Sequence, residues 1–586
     1  FARHMSSQTR IGNPPPLFRF PNDGFPFFDS LNRLMAVFYC LETLIILPQS
    51  GILNRICLGN AGVLPLDGGM CVKRLRRMGS AGLAAALLVF CVSGCSTIPK
   101  ELLTGSSEAP APVSSEVPHP AVSTVFALSF SREDTLNPYA AKTRVNLDLA
   151  TLLYSGLTTL DESFTPQMAA ATSVSSEDAT HWTAVIREGA LFSDGSQVTP
   201  ADVTASFQLA KGSANYKDLV SNIVSAEASG KNAVIFTLSS PDPNTAACLT
   251  FPILKAGTVT NEAGKAPVGG GPYVYRPGEN SYTLEANGRS GKTLSIPSIR
   301  LLHLPDDVAM LHGLENGSIS FYYSDLSSGD IPRTSHSSIQ VPLNYLVFLG
   351  VNAGRGDLSS AAVRRALSNA IGRTEIAETA FAGRAQAAVT PFHPLWKPVV
   401  EMKGFSTGEN LTQAVAELEA AGYNTKSGSA PSKNTKALTL ELIYPTGNDF
   451  RKTTAELLTQ QLAKANITLK ATALEFSAYK DRLGKGDYDL YLGEIRLTGD
   501  MNLRPLLAGG SASYGIQAAG AGAAAYGQYL AGGKTLAEFV EAFVQDVPYI
   551  PLCWRKGLAA YSRTMSHITP NASDIYYGIE SWSLSG

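Results

Sequence analysis

The chain has 586 residues, of which 44% are hydrophobic and 16% charged, with a formal net charge of −2. That length allows a sizeable core and more than one domain, with no dependence on disulfides. The charge is uneven: residues before Cys95 hold nine Lys and Arg against four Asp and Glu, and the remainder holds 38 against 45, a net −7. An acidic body argues against nucleic-acid binding, which requires a basic face to neutralise phosphates.

In chain order, residues 1–69 begin with Phe1 and precede the first export signal. They are expected to be translated upstream sequence without fixed structure, with Met70 or Met78 as the start. The rival reading is a cytoplasmic extension with an internal signal anchor; Leu34 to Leu47 is apolar apart from Glu42 and Thr43 but short for a span. Residues 70–94 read as a signal peptide. Lys73, Arg74, Arg76 and Arg77 form a basic flank, and Ala81 to Val92 a short apolar run. Val92-Ser93-Gly94-Cys95 then resembles a bacterial lipobox, which implies lipidation of Cys95 and a mature chain beginning there. Several acyl chains on one residue give stable membrane anchoring where a single chain is marginal. Residues 95–122, rich in Ser, Pro, Glu and Ala without periodicity, predict a flexible tether.

Beyond the tether, strand and helix signals alternate, as in a mixed α/β fold. The stretch SDGSQVTPADVTASF reads as a tight turn at Asp194-Gly195 and then a helix with Thr199 as N-cap, Pro200 first and Asp202 closing the capping box. Asn410 caps a second helix that buries Leu411, Ala414, Val415, Leu418 and Ala421 and stops at Gly422. Leu438, Leu440 and Leu442 alternate as a strand, a helix follows over about Lys452–Ala465, and Ile467, Leu469 and Ala471 alternate again. Strand, helix, strand predicts parallel pairing. The Gly/Ala-rich stretch Ala508 to Gly533 reads as loops with one short helix.

Chemistry-bearing motifs are scarce. Seven cysteines include no CxxC pair; Cys248 and Cys553, inside the body, either pair or are two buried thiols. There is no G-x-S-x-G elbow, H-E-x-x-H or P-loop, so a hydrolytic enzyme is the weaker reading. The glycines of VGGGPY lead into strand-like sequence and should not cradle phosphate. Asp306-Asp307 reads as a solvated loop, and His303, His312, His336 and His393 are scattered.

Several stretches, in order, resemble the bacterial solute-binding proteins of peptide and nickel importers, family 5. They are LNPYAAKTRVNLDLATLLYSGLTTLDESFTPQ, with Tyr154, Gly156 and Leu157; WTAVIREGALFSDGSQVTPADVTASF, with Arg187, Gly189, Phe192, Asp194, Gly195, Asp202 and Val203; and PVGGGPYVY, with Gly271, Pro272 and Tyr273. NYLVFLGVNAGRGDLSSAAVRRALSNAIGR, with Asn352, Val363, Arg364 and Ala366, and DVPYIPLCWR, from Asp546 to Arg555, complete the set. Gly372 stands where the family usually has Asp. The resemblance covers nearly all of residues 123–586.

It implies an α/β, bilobal periplasmic-binding-protein-like fold of the large class II type, with an extra domain inserted in lobe I. Lobe I would be 123–165, 262–345 and 546–586, the additional domain 166–261, and lobe II 346–545. Ligand would be enclosed between the lobes. By resemblance the chain is an extracytoplasmic, lipid-anchored, monomeric lipoprotein of an ABC importer, without cofactor or enzymatic activity. It would deliver peptides to permease subunits driven by cytoplasmic ATPases. Binding of a nickel chelate or haem, and pheromone sensing without transport, are the alternatives. Candidate ligand residues are Asp500 for an ammonium, Glu494 as its alternative, Arg496 for a carboxylate, and Asn352, for which a role in the hinge backbone is the stronger reading.

Overall fold

A computed structural model describes residues 125–585, less 280, 403, 405, 426–431, 434, 435 and 508. The signal segment, the tether and Cys95 lie outside the described residues.

The chain builds three main sheets. In the first, strand Ala127–Phe130 runs parallel to Ser298–His303, which continues antiparallel to Tyr282–Ala286 and Tyr273–Pro277. The second is antiparallel, in the order Ala171–Ser175, His181–Ile186, Ala233–Leu238, Ile223–Ser229. Helix Pro200–Gly212 buries Val203, Phe207 and Ala210. It starts as the sequence predicts, with Pro200 in the first turn and reciprocal Thr199–Asp202 capping. Asp202 also accepts from the Ala256 amide at 2.8 Å, so the cap ties the helix to a distant loop. Both sheets share one hydrophobic core, from Phe126 through Phe207 and Phe236 to Trp582. We term this body the first lobe.

The third sheet has seven strands. Its main path runs Phe321–Ser324, Tyr549–Tyr561, Ser337–Val351, Leu490–Arg496, Thr439–Pro445, Thr468–Leu474, and Ala385–Ala387 adds to Tyr549–Tyr561. Leu438, Leu440 and Leu442 are buried as their alternation predicts, and Thr439–Pro445 runs parallel to Thr468–Leu474 and to Leu490–Arg496. The connecting helix is Asp449–Lys464, three residues earlier at its start than the periodicity suggests, because Asn448 accepts from the Arg451 amide and caps it. Strand Leu490–Arg496 is covered on both faces: Leu490 and Leu492 enter one core with Leu458 and Leu462, and Tyr491 enters another with Tyr479, Phe539 and Phe543. A strand buried on both sides reads as a continuous apolar run, here LYL. These two cores make the second lobe, and the one holding Tyr491 also takes in Leu160, Phe164 and Ala247 from the first lobe.

Two strands connect the lobes. Ser337–Val351 places Val341 and Leu343 in the first-lobe core and Val347, Leu349 and Val351 in the second. Tyr549–Tyr561 returns, with Ile550 and Leu552 in the second lobe and Ala559 in the first. Their pairing slips between Pro342 and Leu346 and again between Val347 and Phe348, at the passage from one core to the other. Such bulges bend a strand and re-aim its side chains. Here they release Asn344 and Tyr345 from pairing with Tyr549–Tyr561, while Tyr345 stays in register with Arg496 on the other side.

Cys248 and Cys553 are buried and free. Asp306 is not a plain loop acid: its carboxylate accepts from the Ala309 amide and caps helix Asp307–Glu315. The glycines of VGGGPY serve close packing. A Cβ on Gly269 would lie 2.2 Å from the Leu153 carbonyl oxygen, and one on Gly271 would lie 2.4 Å from the Leu153 carbonyl carbon.

Candidate ligand-binding cleft

In open α/β sheets, ligands settle beyond the carboxyl ends of parallel strands. In the second lobe those ends carry Thr446, Gly447 and Asn448 after one strand, and Glu494 to Arg496 at the end of another. A groove of about 300 Å³ lies there, lined by Ser328, Asp330, Tyr444, Thr446, Asn448 and Lys452. Beside it a narrow cavity of about 10 Å³ touches Phe381, Phe450, Arg451, Thr454, Glu494 and Arg555. That is space for roughly one water.

The groups at and around this strand end are charged. Arg555 donates to Glu494 at 2.8 Å and to the Asp325 carbonyl, and its guanidinium sits 4.9 Å from the Tyr345 ring centroid. Arg496 lies 5.8 Å from the centroid of the same ring. From the first lobe, Arg144 pairs with Asp148 at 2.5 Å and approaches Asp325 at 3.8 Å. Burial raises the Asp148 carboxyl, with Arg144 and Arg496 pulling the other way, so the Arg496 charge reaches the first lobe.

The four predicted ligand residues divide into distinct settings. Glu494 is committed to Arg555, which is 3% exposed. Arg496 is exposed and forms no ion pair among the described residues; its one side-chain bond is a long 3.4 Å contact to Asn344 Oδ1. Asn344 is itself held by a bond from its amide to the Leu497 carbonyl. The Asn352 amide donates to the carbonyls of Gly486 and Tyr488, both at 3.1 Å, and so ties the end of the crossing strand to the loop before Leu490. Asp500 lies in the turn beyond Arg496, 5% exposed, and its Oδ1 accepts no hydrogen bond. Burial, and then the charge of Asp242, raise its carboxyl to about 6, against help from Thr498, Cys248 and Arg504. Arg496 and Asp500 thus retain free binding capacity on one short segment, whereas Glu494 and Asn352 are engaged within the protein.

Sequence reasoning missed Arg144, Asp148, Tyr345, Arg555, Asp242 and Arg504. Arg555 had a usable signal: a charge ending the buried run YIPLCW. Arg144 and Asp148 stand at the i,i+4 spacing of helical ion pairs.

A family model, "Bacterial extracellular solute-binding proteins, family 5 Middle", matches residues 163–504. The chain belongs to this family. Among relatives of this family 5 protein, the oligopeptide-binding protein AppA of Bacillus subtilis is 26% identical over 375 residues, 58% of this chain and 67% of AppA. Two solved structures share the fold. The unliganded open form of the murein tripeptide-binding protein MppA has a TM-score of 0.65 at 18% identity, covering 79% of this chain and 97% of MppA. A nickel ABC transporter structure from Bacillus halodurans has a TM-score of 0.64 at 18% identity, covering 77% and 98%. The bilobal α/β fold is therefore that of solute-binding proteins.

Proposed function

We propose that this family 5 protein captures short peptides outside the cytoplasm and delivers them to an ABC permease. One observation carries the reading: on a single segment, a buried carboxylate with an unused oxygen, Asp500, stands four residues from an exposed guanidinium, Arg496, that has no ion pair among the described residues. A peptide presents an ammonium and a carboxylate of matching signs. The ammonium compensates the otherwise costly buried charge, and the guanidinium offers a planar fork to the carboxylate. Four residues of extended chain span at most about 14 Å, and the turn at Thr498–Met501 shortens the path. Ligands of up to about four residues fit that separation.

The family membership supports binding without chemistry on the ligand, and the relatives named for oligopeptides and a murein tripeptide support the peptide class. Anchoring through Cys95 is part of the same proposal and rests on the Val92–Cys95 signal.

Mass spectrometry of ligand retained by natively purified protein tests the assignment. Short peptides are expected, and recovery only of a metal chelate or a sugar refutes it. Calorimetry sharpens the test: N-acetylation of a bound peptide should weaken binding at least tenfold, and equal affinity would remove Asp500 from the site.

A further inference from the structure

We propose that Asp242 and Arg504 form a latch between the lobes that is one positive charge short, so that closure over Asp500 is conditional on a cationic group. The ligand class invoked, an ammonium, rests on the proposed role of Asp500.

Arg504 follows the cleft strand in the second lobe. Its Nη1 donates to Asp242 Oδ2 at 2.7 Å and its Nη2 to the Pro241 carbonyl at 2.8 Å. Asp242 stands in the loop after first-lobe strand Ala233–Leu238, and its side chain is 4% exposed. Its other oxygen accepts from the Asn244 amide at 2.9 Å, so this carboxylate is fully engaged. The lobes touch closely here: a Cβ on Gly499 would lie 2.3 Å from Leu160 Cδ1.

The other groups facing Asp500 add no positive charge. Burial pushes the Cys248 thiol and the Tyr526 phenol well above their ordinary values, so both stay neutral. Tyr526 accepts from the Leu503 amide, and Tyr529 from the Asn244 side chain at 3.3 Å. Arg504 is bonded to Asp242 alone, and the buried Asp500, with an unpartnered Oδ1, feels both charges, so two carboxylates are set against one guanidinium. An uncompensated buried charge is costly, whereas the same groups on separated lobes meet water. A ligand ammonium balances the cluster only in the closed state, and that differential affinity shifts the population towards closure.

A proton on Asp500 does the same. Its carboxyl stands at about 6 with the lobes in contact, against 3.8 for a solvated aspartate, and burial is the first cause. A value raised on closing means that closure takes up a proton; it is favoured below about pH 6 and disfavoured above. Lowering the pH from 7.5 to 5 should raise the closed-to-open ratio about tenfold.

The experiment is energy transfer between dyes on unnatural amino acids at Val224 and Phe476, exposed positions on the two lobes, in the ligand-free full chain. We expect the closed signal of the unsubstituted protein to rise about tenfold relative to the open one from pH 7.5 to 5. Asp500→Asn, which leaves one carboxylate per guanidinium, should be closed at pH 7.5, whereas Asp242→Asn, which removes the ion pair between the lobes, should be open. The double substitution, which strands Arg504, should be open. A transfer efficiency that changes with neither pH nor these substitutions overturns the latch. Binding of tri-alanine and N-acetyl-tri-alanine tests the ammonium assignment separately: equal affinities remove Asp500 as ligand partner, while the ligand-free measurements still decide the latch.

Discussion

Arg555 donates to Glu494 at 2.8 Å across the crossing strand that carries Tyr345 and Val347, joining two strands that are not neighbours in the sheet. The guanidinium is 3% exposed and the carboxylate 20%. This pair removes Glu494 from the set of groups free to meet a ligand. It also fixes the junction where the chain passes between lobes.

Removing one partner of a buried pair leaves the other uncompensated. Glu494→Gln should therefore destabilise the protein by about 3 kcal/mol in urea denaturation. Peptide affinity measured well below the unfolding transition should change less than threefold. A large loss of affinity with unchanged stability would make Glu494 a ligand group after all.

Arg496 predicts the opposite pattern. It is exposed and without an ion pair among the described residues, so Arg496→Gln should leave the denaturation midpoint unchanged. A charge-assisted bond to a ligand carboxylate is worth about 1.5–3 kcal/mol, a tenfold or greater loss in affinity. Calorimetry with a free-acid peptide and its amide checks this, since only the free acid should respond.

The scaffold was legible because its signals are local. Thr199, Pro200 and Asp202 lie within one turn and report their own helix start, and the alternation at Leu438, Leu440 and Leu442 reports a strand face without reference to anything distant. The early start at Asp449 was also encoded locally: Gly447, at φ +78°, turns the chain and Asn448 caps it. The site was less legible because its pairings are long-range. That Glu494 is occupied depends on Arg555, 61 residues away, and the setting of Asp500 depends on Asp242 from the other lobe. Period and capping rules carry no information about such partners.

His393 predicts an acid-sensitive stability. It is 1% exposed, its ring lies 5.0 Å from Phe164 and 4.9 Å from Trp554, and burial lowers its value from 6.5 to about 3. The folded state thus binds this proton more weakly than the unfolded chain. The stabilising contribution is complete above about pH 6.5 and is lost progressively as pH falls towards 3. Between pH 7.5 and 5 the loss is about 2 kcal/mol. His393→Phe fills the same aromatic site without the proton, and its stability should fall less steeply over that interval. Parallel pH curves for the two proteins would show that His393 does not titrate on unfolding.

Gly499 offers a steric test of lobe contact. A methyl group there would meet Leu160 Cδ1 at 2.3 Å and the Ala247 carbonyl oxygen at 3.4 Å, both from the first lobe. Leu160 and Ala247 pack in one core with Leu497, Met501 and Leu503, so neither can retreat without disturbing its neighbours. Overpacking of this kind costs about 1–3 kcal/mol. The cost falls on the state in which the lobes touch, because separating them relieves the clash. Gly499→Ala should accordingly weaken peptide binding about tenfold, mainly through faster dissociation, and leave the unfolding of each lobe little changed. Stopped-flow dissociation separates the outcomes: an unaltered off-rate would mean that the contact between Gly499 and Leu160 persists when ligand leaves.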